Sequence, residues 1–174
     1  MNIFVLDRDP IKAAQMMCDA HVVKMIVESC QLLSTHDRLT NRFENPSHLY
    51  KPTHVNHPCR VCLSNKYNRA WLICHLDALI REYIYRYEKP HKSASLYHEY
   101  YYNSVFVPSA QRQFADEYGW WRHCDLPKCM PDDFKVGGDD IDSVIRSYRN
   151  YYKFKQQTMQ RFRYTKREMP EWLR

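Results

Sequence analysis

Two long stretches carry apolar residues at helical spacing, and nothing else in the chain constrains its fold as strongly. Between Ile11 and His36, the residues Val22, Val23, Ile26, Val27, Cys30 and Leu33 share one side at about 100° per residue. Between Leu63 and Glu88, the residues Trp71, Leu72, Leu76, Leu79, Ile80, Tyr83 and Tyr87 form a second, broader face. Asp9-Pro10 supplies a cap and a first-turn proline for the first helix, and Lys89-Pro90 stops the second. A third amphipathic pattern, about Asp139 to Arg161, runs through Ile141, Val144, Ile145, Tyr148, Tyr152 and Lys155.

The periodicity predicts a mainly α, compact single-domain fold over residues 1–174, with two long helices, long irregular loops and little sheet beyond "MNIFVLD". A chain of 174 residues buries roughly two-thirds of the surface its unfolded form exposes, so its core requires no disulfide or metal staple. The polar stretch from Asp37 to Pro58, rich in Asn, His and Pro, reads as one long loop. "SASLYHEYYYNSVF" reads as a short helix or an aromatic-anchored loop, and Ser109 to Gly138 is poorly periodic.

No run approaches the roughly 20 apolar residues of a membrane span. Seven cysteines without a framework suit a reducing compartment, which together point to a soluble intracellular protein. The formal charge of +6 is concentrated: from Val144 to Arg174 there are nine Lys or Arg against two Glu, and the preceding residues are nearly neutral. Seven aromatic residues lie in the same segment, so bases have rings to stack on while cations meet phosphates. DNA is therefore the expected partner, with Tyr148, Arg149, Tyr152, Lys166 and Arg167 as contacts; the alternative is a helix whose aromatics face the core and whose charges are merely solvated. The sequence sets no oligomeric state.

Three polar constellations carry candidate chemistry. His21, Lys24 and Glu28 stand at i, i+3 and i+7, on one stripe opposite the apolar one. A carboxylate beside a cation can act as general acid or base, or stabilise a developing positive charge, and a desolvated lysine can act as an amine nucleophile. The bland reading is a Lys24–Glu28 surface pair with an exposed histidine. "YKPTHVNHPC" places His54, Asn56, His57 and Arg60 on or beside a proline-stiffened loop. "KPHKS" offers His91 and Lys92 to an anion.

His54, His57, Cys59 and Cys62 are too cramped for a tetrahedral zinc site without a second ligand pair, for which Cys124 and Cys129 are only candidates. The sequence therefore favours packing roles for Cys59 and Cys62, and no metal is expected. "HD" at His36-Asp37 lacks the further ligands of a metal phosphohydrolase. Phosphate-binding and dinucleotide glycine motifs and a serine elbow are missing from the sequence, so no cofactor is expected.

The N-terminal "MNIFVLDRDPIKAAQMMCDAHVVKMIVESCQLLST", with "YKPTHVNHPC", "RYEKPHKS", "MPDDFK", "YRNYY" and "YTKREMPEWL", resembles a family of small tailed-bacteriophage proteins over nearly the whole chain. More remotely, the order of parts is similar to the pyrimidine-dimer DNA glycosylase superfamily typified by phage endonuclease V. The shared parts are His21 and Glu28 seven residues apart, a His-Pro loop, an "EY" pair in a long helix and an aromatic-basic end. The resemblance implies that Glu28 protonates the sugar or stabilises its cationic intermediate while the chain's α-amine attacks the sugar carbon to form an imine. Asn2 after Met1 disfavours Met1 removal, which leaves the Met1 amine, Lys24 or a Glu28-activated water as nucleophile.

These readings converge on a phage enzyme acting on a pyrimidine nucleotide of DNA in the cytoplasm of an infected bacterium. Its pocket is expected between the two long helices, with Glu28, His21, Lys24 and His57 as catalytic groups. Thymine hypermodification by the same helical type, a non-enzymatic nucleic-acid or host-factor binder, and an enzyme on free nucleotides are the alternatives.

Overall fold

The structure, a computed structural model, describes residues 1–98 and 119–174. Much of "SASLYHEYYYNSVF" and the first part of the poorly periodic stretch lie outside the described residues. Helices α1 (Pro10–Gln15), α2 (Asp19–Leu39), α3 (Pro58–Val61) and α4 (Lys66–Tyr87), with a C-terminal helix (Ile141–Thr158), make up the frame. There is no strand among the described residues. "MNIFVLD" is irregular backbone that buries Ile3, Phe4, Val5 and Leu6.

The first predicted helix is two helices. Asp9 caps α1 by accepting the Ile11 N–H at 2.8 Å, and Pro10 occupies the first turn. The chain then breaks at Met16–Cys18. The Cys18 N–H is taken by the Tyr152 hydroxyl at 2.8 Å and the Asp19 N–H by the Arg163 carbonyl at 2.8 Å, so C-terminal groups satisfy the donors that the new helix start leaves open.

α2 packs on α4, and α1 packs on α4 beside it. The α2 stripe is rotated from the predicted one. Val22, Met25, Ile26, Cys30, Leu32 and Leu33 are buried, whereas Val23 is exposed and Val27 is half-buried. The second predicted helix is likewise interrupted at its start: α3 and a 3-10 turn (Cys62–Ser64) precede α4, whose cap Asn65 accepts the Tyr67 N–H at 2.8 Å. Trp71, Leu72, Leu76, Leu79 and Ile80 are buried as predicted, with Tyr83 and Tyr87 half-buried at the far end.

The loop between α2 and α3 is fastened along α2. The Thr35 hydroxyl accepts the Thr53 N–H at 3.1 Å, and the Arg38 guanidinium donates to the carbonyls of Leu49 and Tyr50 at 2.7 and 2.8 Å. This delivers His57 to the flank of α2. The C-terminal helix lies against the N-terminal segment, with Phe4 meeting Tyr148, Tyr151 and Tyr152 at centroid distances of 6.1, 6.1 and 5.4 Å. Buried apolar residues from the N-terminal segment and from all five helices form one contiguous cluster.

Candidate active site around Glu28

Glu28 lies on α2 with its side chain 12% exposed, and each oxygen has a partner. Oε2 accepts the Asn2 N–H at 2.8 Å, and Oε1 pairs with Lys24 Nζ at 3.2 Å. Asn2 is itself locked. Its Oδ1 accepts the N–H groups of Ile3 and Phe4 at 2.8 and 3.3 Å, and its Nδ2 donates to the Cys129 carbonyl at 2.8 Å. A carboxylate held between an ammonium and an N–H donor is fixed in place, which is what electrostatic stabilisation of a developing positive charge needs.

His57 borders the same place. Burial lowers its pKa first, the positive charge at the chain's N-terminus lowers it next, and Glu28 pulls it back up, so all three groups share one field. Its Nδ1 accepts the Cys59 N–H at 3.2 Å as the cap of α3. The site is thus built from the N-terminal segment, one flank of α2 and the end of the long loop. It does not lie between α2 and α4, because those two helices pack directly on each other.

His21 is not part of a polar stripe. It is 6% exposed, its ring stacks on Phe4 at 4.5 Å, and its Nδ1 meets the Tyr152 hydroxyl at 2.8 Å. That hydroxyl accepts the Cys18 N–H and so has its proton free for Nδ1. Burial, then the charges of Lys24 and Lys155, lower the His21 pKa to about 4, which leaves the ring neutral at pH 7. His21 therefore positions Tyr152 and the break before α2; the proton-transfer role expected of it has no support in this geometry. Lys24 is 67% exposed on its side chain and reaches inward only through Glu28.

The remaining predicted contacts are scattered. His54, in the left-handed region at φ 49°, and Asn56 are exposed; the His54 ring lies 6.4 Å from that of His57. Arg60 donates back to the Val55 carbonyl. His91 Nδ1 accepts the Ser93 N–H at 3.1 Å, Ser93 bonds the Tyr50 hydroxyl at 3.0 Å, and Lys92 is exposed, so "KPHKS" ties down the long loop. Asp37 of the "HD" pair accepts twice from Arg69 Nη2, at 3.0 and 3.1 Å.

The C-terminal segment departs most from expectation. Tyr148 and Tyr152 are fully buried, and Tyr148 donates to the Pro127 carbonyl at 2.8 Å, so neither can stack on a base. Arg167 is bidentate on Glu82 at 2.9 Å, Lys166 pairs with Glu88, and Arg149 donates to the Leu6 carbonyl at 2.9 Å beside Asp7. These cations fasten the segment to α4 and to the N-terminus. Arg146, Lys153, Arg161 and Arg163 are exposed and form no salt bridge among the described residues, Arg146 feeling only the charge of Asp140 at longer range, and Arg146, Arg149 and Lys153 line a shallow groove with Trp172.

Sequence reasoning named Cys129 only as a candidate ligand and Asn2 only for its effect on Met1; it missed that the two meet across the fold and that Asn2 holds Glu28. Only the resemblance, with its N-terminal chemistry, pointed toward residue 2. No described helix is long and apolar enough to cross a membrane.

No curated protein and no solved structure matches the chain. The observations that place the first residues of the chain against a partly buried glutamate on the first long helix are joined by a direct match, over residues 1–95, to the sequence model of one family: the chain belongs to the pyrimidine dimer DNA glycosylase family.

Proposed function

We propose that this protein is a DNA N-glycosylase acting at a pyrimidine nucleotide of phage or host DNA, with Glu28 as the catalytic carboxylate. The observation that carries the reading is the 2.8 Å contact between the residue 2 nitrogen and Glu28 Oε2, within a chain of this family. An N-glycosylase breaks the bond between C1′ and the base nitrogen, and positive charge builds on the sugar as the base leaves. A fixed anion beside the sugar lowers that barrier.

The nucleophile is an amine of the same pocket. With Met1 retained, as Asn2 favours, its α-amine and the Lys24 amine are the candidates beside Glu28; an α-amine at residue 2 itself would require Met1 to be removed. Attack at C1′ forms a C–N bond as the base departs with the glycosidic electron pair. Loss of a proton and ring opening then give an imine, and elimination from it cuts the strand. Extrusion of the target nucleotide is required for either group to reach C1′.

The test is incubation of wild type and Glu28→Gln with untreated, ultraviolet-treated and thymine-modified DNA, followed by mass spectrometry of released bases and residual nucleosides. Release of a pyrimidine base or dimer by wild type, lost in Glu28→Gln, is the expected result. An altered base left in the strand would replace this reading with base modification. Equal release by both proteins would remove Glu28 from the chemistry.

A further inference from the structure

Behind the Asn2 side chain, three metal-ligating groups converge that the glycosylase reading does not require. His57, Cys59 and Cys129 each place one donor atom within 4.8 Å of the other two. His57 and Cys59 come from the start of α3, and Cys129 comes from a segment 70 residues later in the chain; the two sulfurs are 3.3 Å apart. This is the separated second ligand segment that the crowded His54 to Cys62 stretch lacked. Cys124 is not part of the cluster, and Cys62 turns its sulfur to the Cys59 carbonyl at 3.4 Å.

We propose that His57, Cys59 and Cys129 bind one thiophilic divalent cation of the zinc type. Two thiolates and one imidazole are a soft donor set that selects zinc over magnesium or calcium. With zinc–sulfur bonds of about 2.3 Å, two sulfurs on one tetrahedral ion stand roughly 3.8 Å apart, so the pair need open by only about half an ångström. Cys59 is buried, while His57 and Cys129 are half-exposed, which gives the ion an entry side. The ion takes one ring lone pair of His57, and the two thiols release their protons. A fourth position is left for water.

The ion has a structural consequence at Glu28. Cys129 holds the Asn2 side chain through its carbonyl, and Asn2 holds Glu28 through its N–H. Tying Cys129 to α3 therefore fixes the segment that sets residue 2 against the carboxylate.

The experiment uses the full chain purified without chelator, with metal content measured by elemental mass spectrometry, then metal-free protein titrated with cobalt and back-titrated with zinc. One equivalent of cobalt with a thiolate-to-cobalt charge-transfer band, displaced by zinc, is expected. Cys129→Ala should bind at least about 100-fold more weakly, Cys129→His should keep the ion with a weaker band, and Cys124→Ser should match wild type. Circular dichroism establishes that each variant is folded. Wild type that takes up no stoichiometric cobalt, Cys129→Ala that binds as tightly as wild type, or a Cys59–Cys129 disulfide persisting under reducing agent would each overturn the site. These readouts involve metal alone, so the proposal stands or falls apart from any glycosylase activity.

Discussion

The Asn2 N–H donates to Glu28 Oε2 across 2.8 Å, joining the second residue of the chain to the middle of α2. In the full chain that nitrogen is an amide and only a donor, whereas the same nitrogen freed as an α-amine would have a lone pair beside the carboxylate. Amine chemistry makes a distinct prediction. Borohydride should trap a covalent adduct between the protein and substrate DNA by reducing the imine, and peptide mapping should place it at the N-terminus. Acetylating the α-amine should lower trapping by about 100-fold or more, while Lys24→Ala should lower it less than tenfold, because that side chain is 67% exposed and its charge is screened. Undiminished trapping after acetylation would transfer the role to Lys24, and base release without trapping would transfer it to water.

Acid should destabilise the fold in a window set chiefly by two of its buried histidines, His21 and His75. His21 is lowered to about 4 and His75 to about 3, in both cases chiefly by burial. The His75 ring stacks on Trp71 at 4.7 Å, and neither of its nitrogens has a hydrogen-bond partner among the described residues. The unfolded chain binds protons on both rings below about pH 6.5, which the folded chain resists. Stability is therefore full above that pH and falls as pH drops toward the folded values. His21 alone accounts for about 3 kcal/mol across its interval. His75→Phe should keep the stacking, remove one titration and raise the melting temperature at pH 5 more than at pH 7.5. Parallel pH profiles for the two proteins would show that His75 is not held neutral.

The buried guanidinium of Arg86 ties three parts of the fold together. It donates to Glu82 at 2.8 Å, to Asp19 at 2.9 Å and to the Gln15 carbonyl at 3.2 Å, with its side chain fully covered. Arg86→Met leaves two carboxylates short of a partner at the junction of α1, α2 and α4, and should cost about 3–5 kcal/mol in denaturant unfolding. Arg167→Ala removes the bidentate clamp on Glu82 but leaves Arg86 there, so its cost should be smaller, about 1–2 kcal/mol. A loss for Arg86→Met no larger than for Arg167→Ala would show that Arg86 does not hold this junction.

How much of this was legible in the sequence follows from how far apart the causes lie. The predicted cap Asp9 serves only the short α1, and α2 starts at Cys18 without a side-chain cap; the two long helices follow from their local apolar period, and both were legible. The break at Met16–Cys18 was not, because the Tyr152 hydroxyl and the Arg163 carbonyl that satisfy its amides lie more than 130 residues away. Tyr148 and Tyr152 already stood on the apolar stripe of the last helix, and periodicity was the better guide to them than the surrounding positive charge. That charge reads as free until α4 brings Glu82 and Glu88 against Arg167 and Lys166. The Lys24–Glu28 pair was legible in its i, i+4 spacing, but the Asn2 partner of Glu28 depends on how the first residues cross the fold, which no local pattern records.

The division of the C-terminal cations into paired and unpaired sets predicts which of them DNA feels. Lys166 and Arg167 already neutralise Glu88 at the end of α4 and Glu82 within it, so moving them to phosphate would strand both carboxylates. Arg146 and Lys153 line the groove beside Trp172 and form no salt bridge among the described residues, Arg146 feeling only the longer-range charge of Asp140. Each released counterion contributes about one unit to the slope of binding against salt on logarithmic axes. Arg146→Ala and Lys153→Ala should therefore each reduce that slope by about one and weaken binding to all sequences alike, while Lys166→Ala leaves the slope unchanged. The measurement is fluorescence anisotropy on one duplex across a salt series. A slope lowered by Lys166→Ala but not by Arg146→Ala would place the DNA against α4 and the tail, and move the path of the duplex away from the groove beside Trp172.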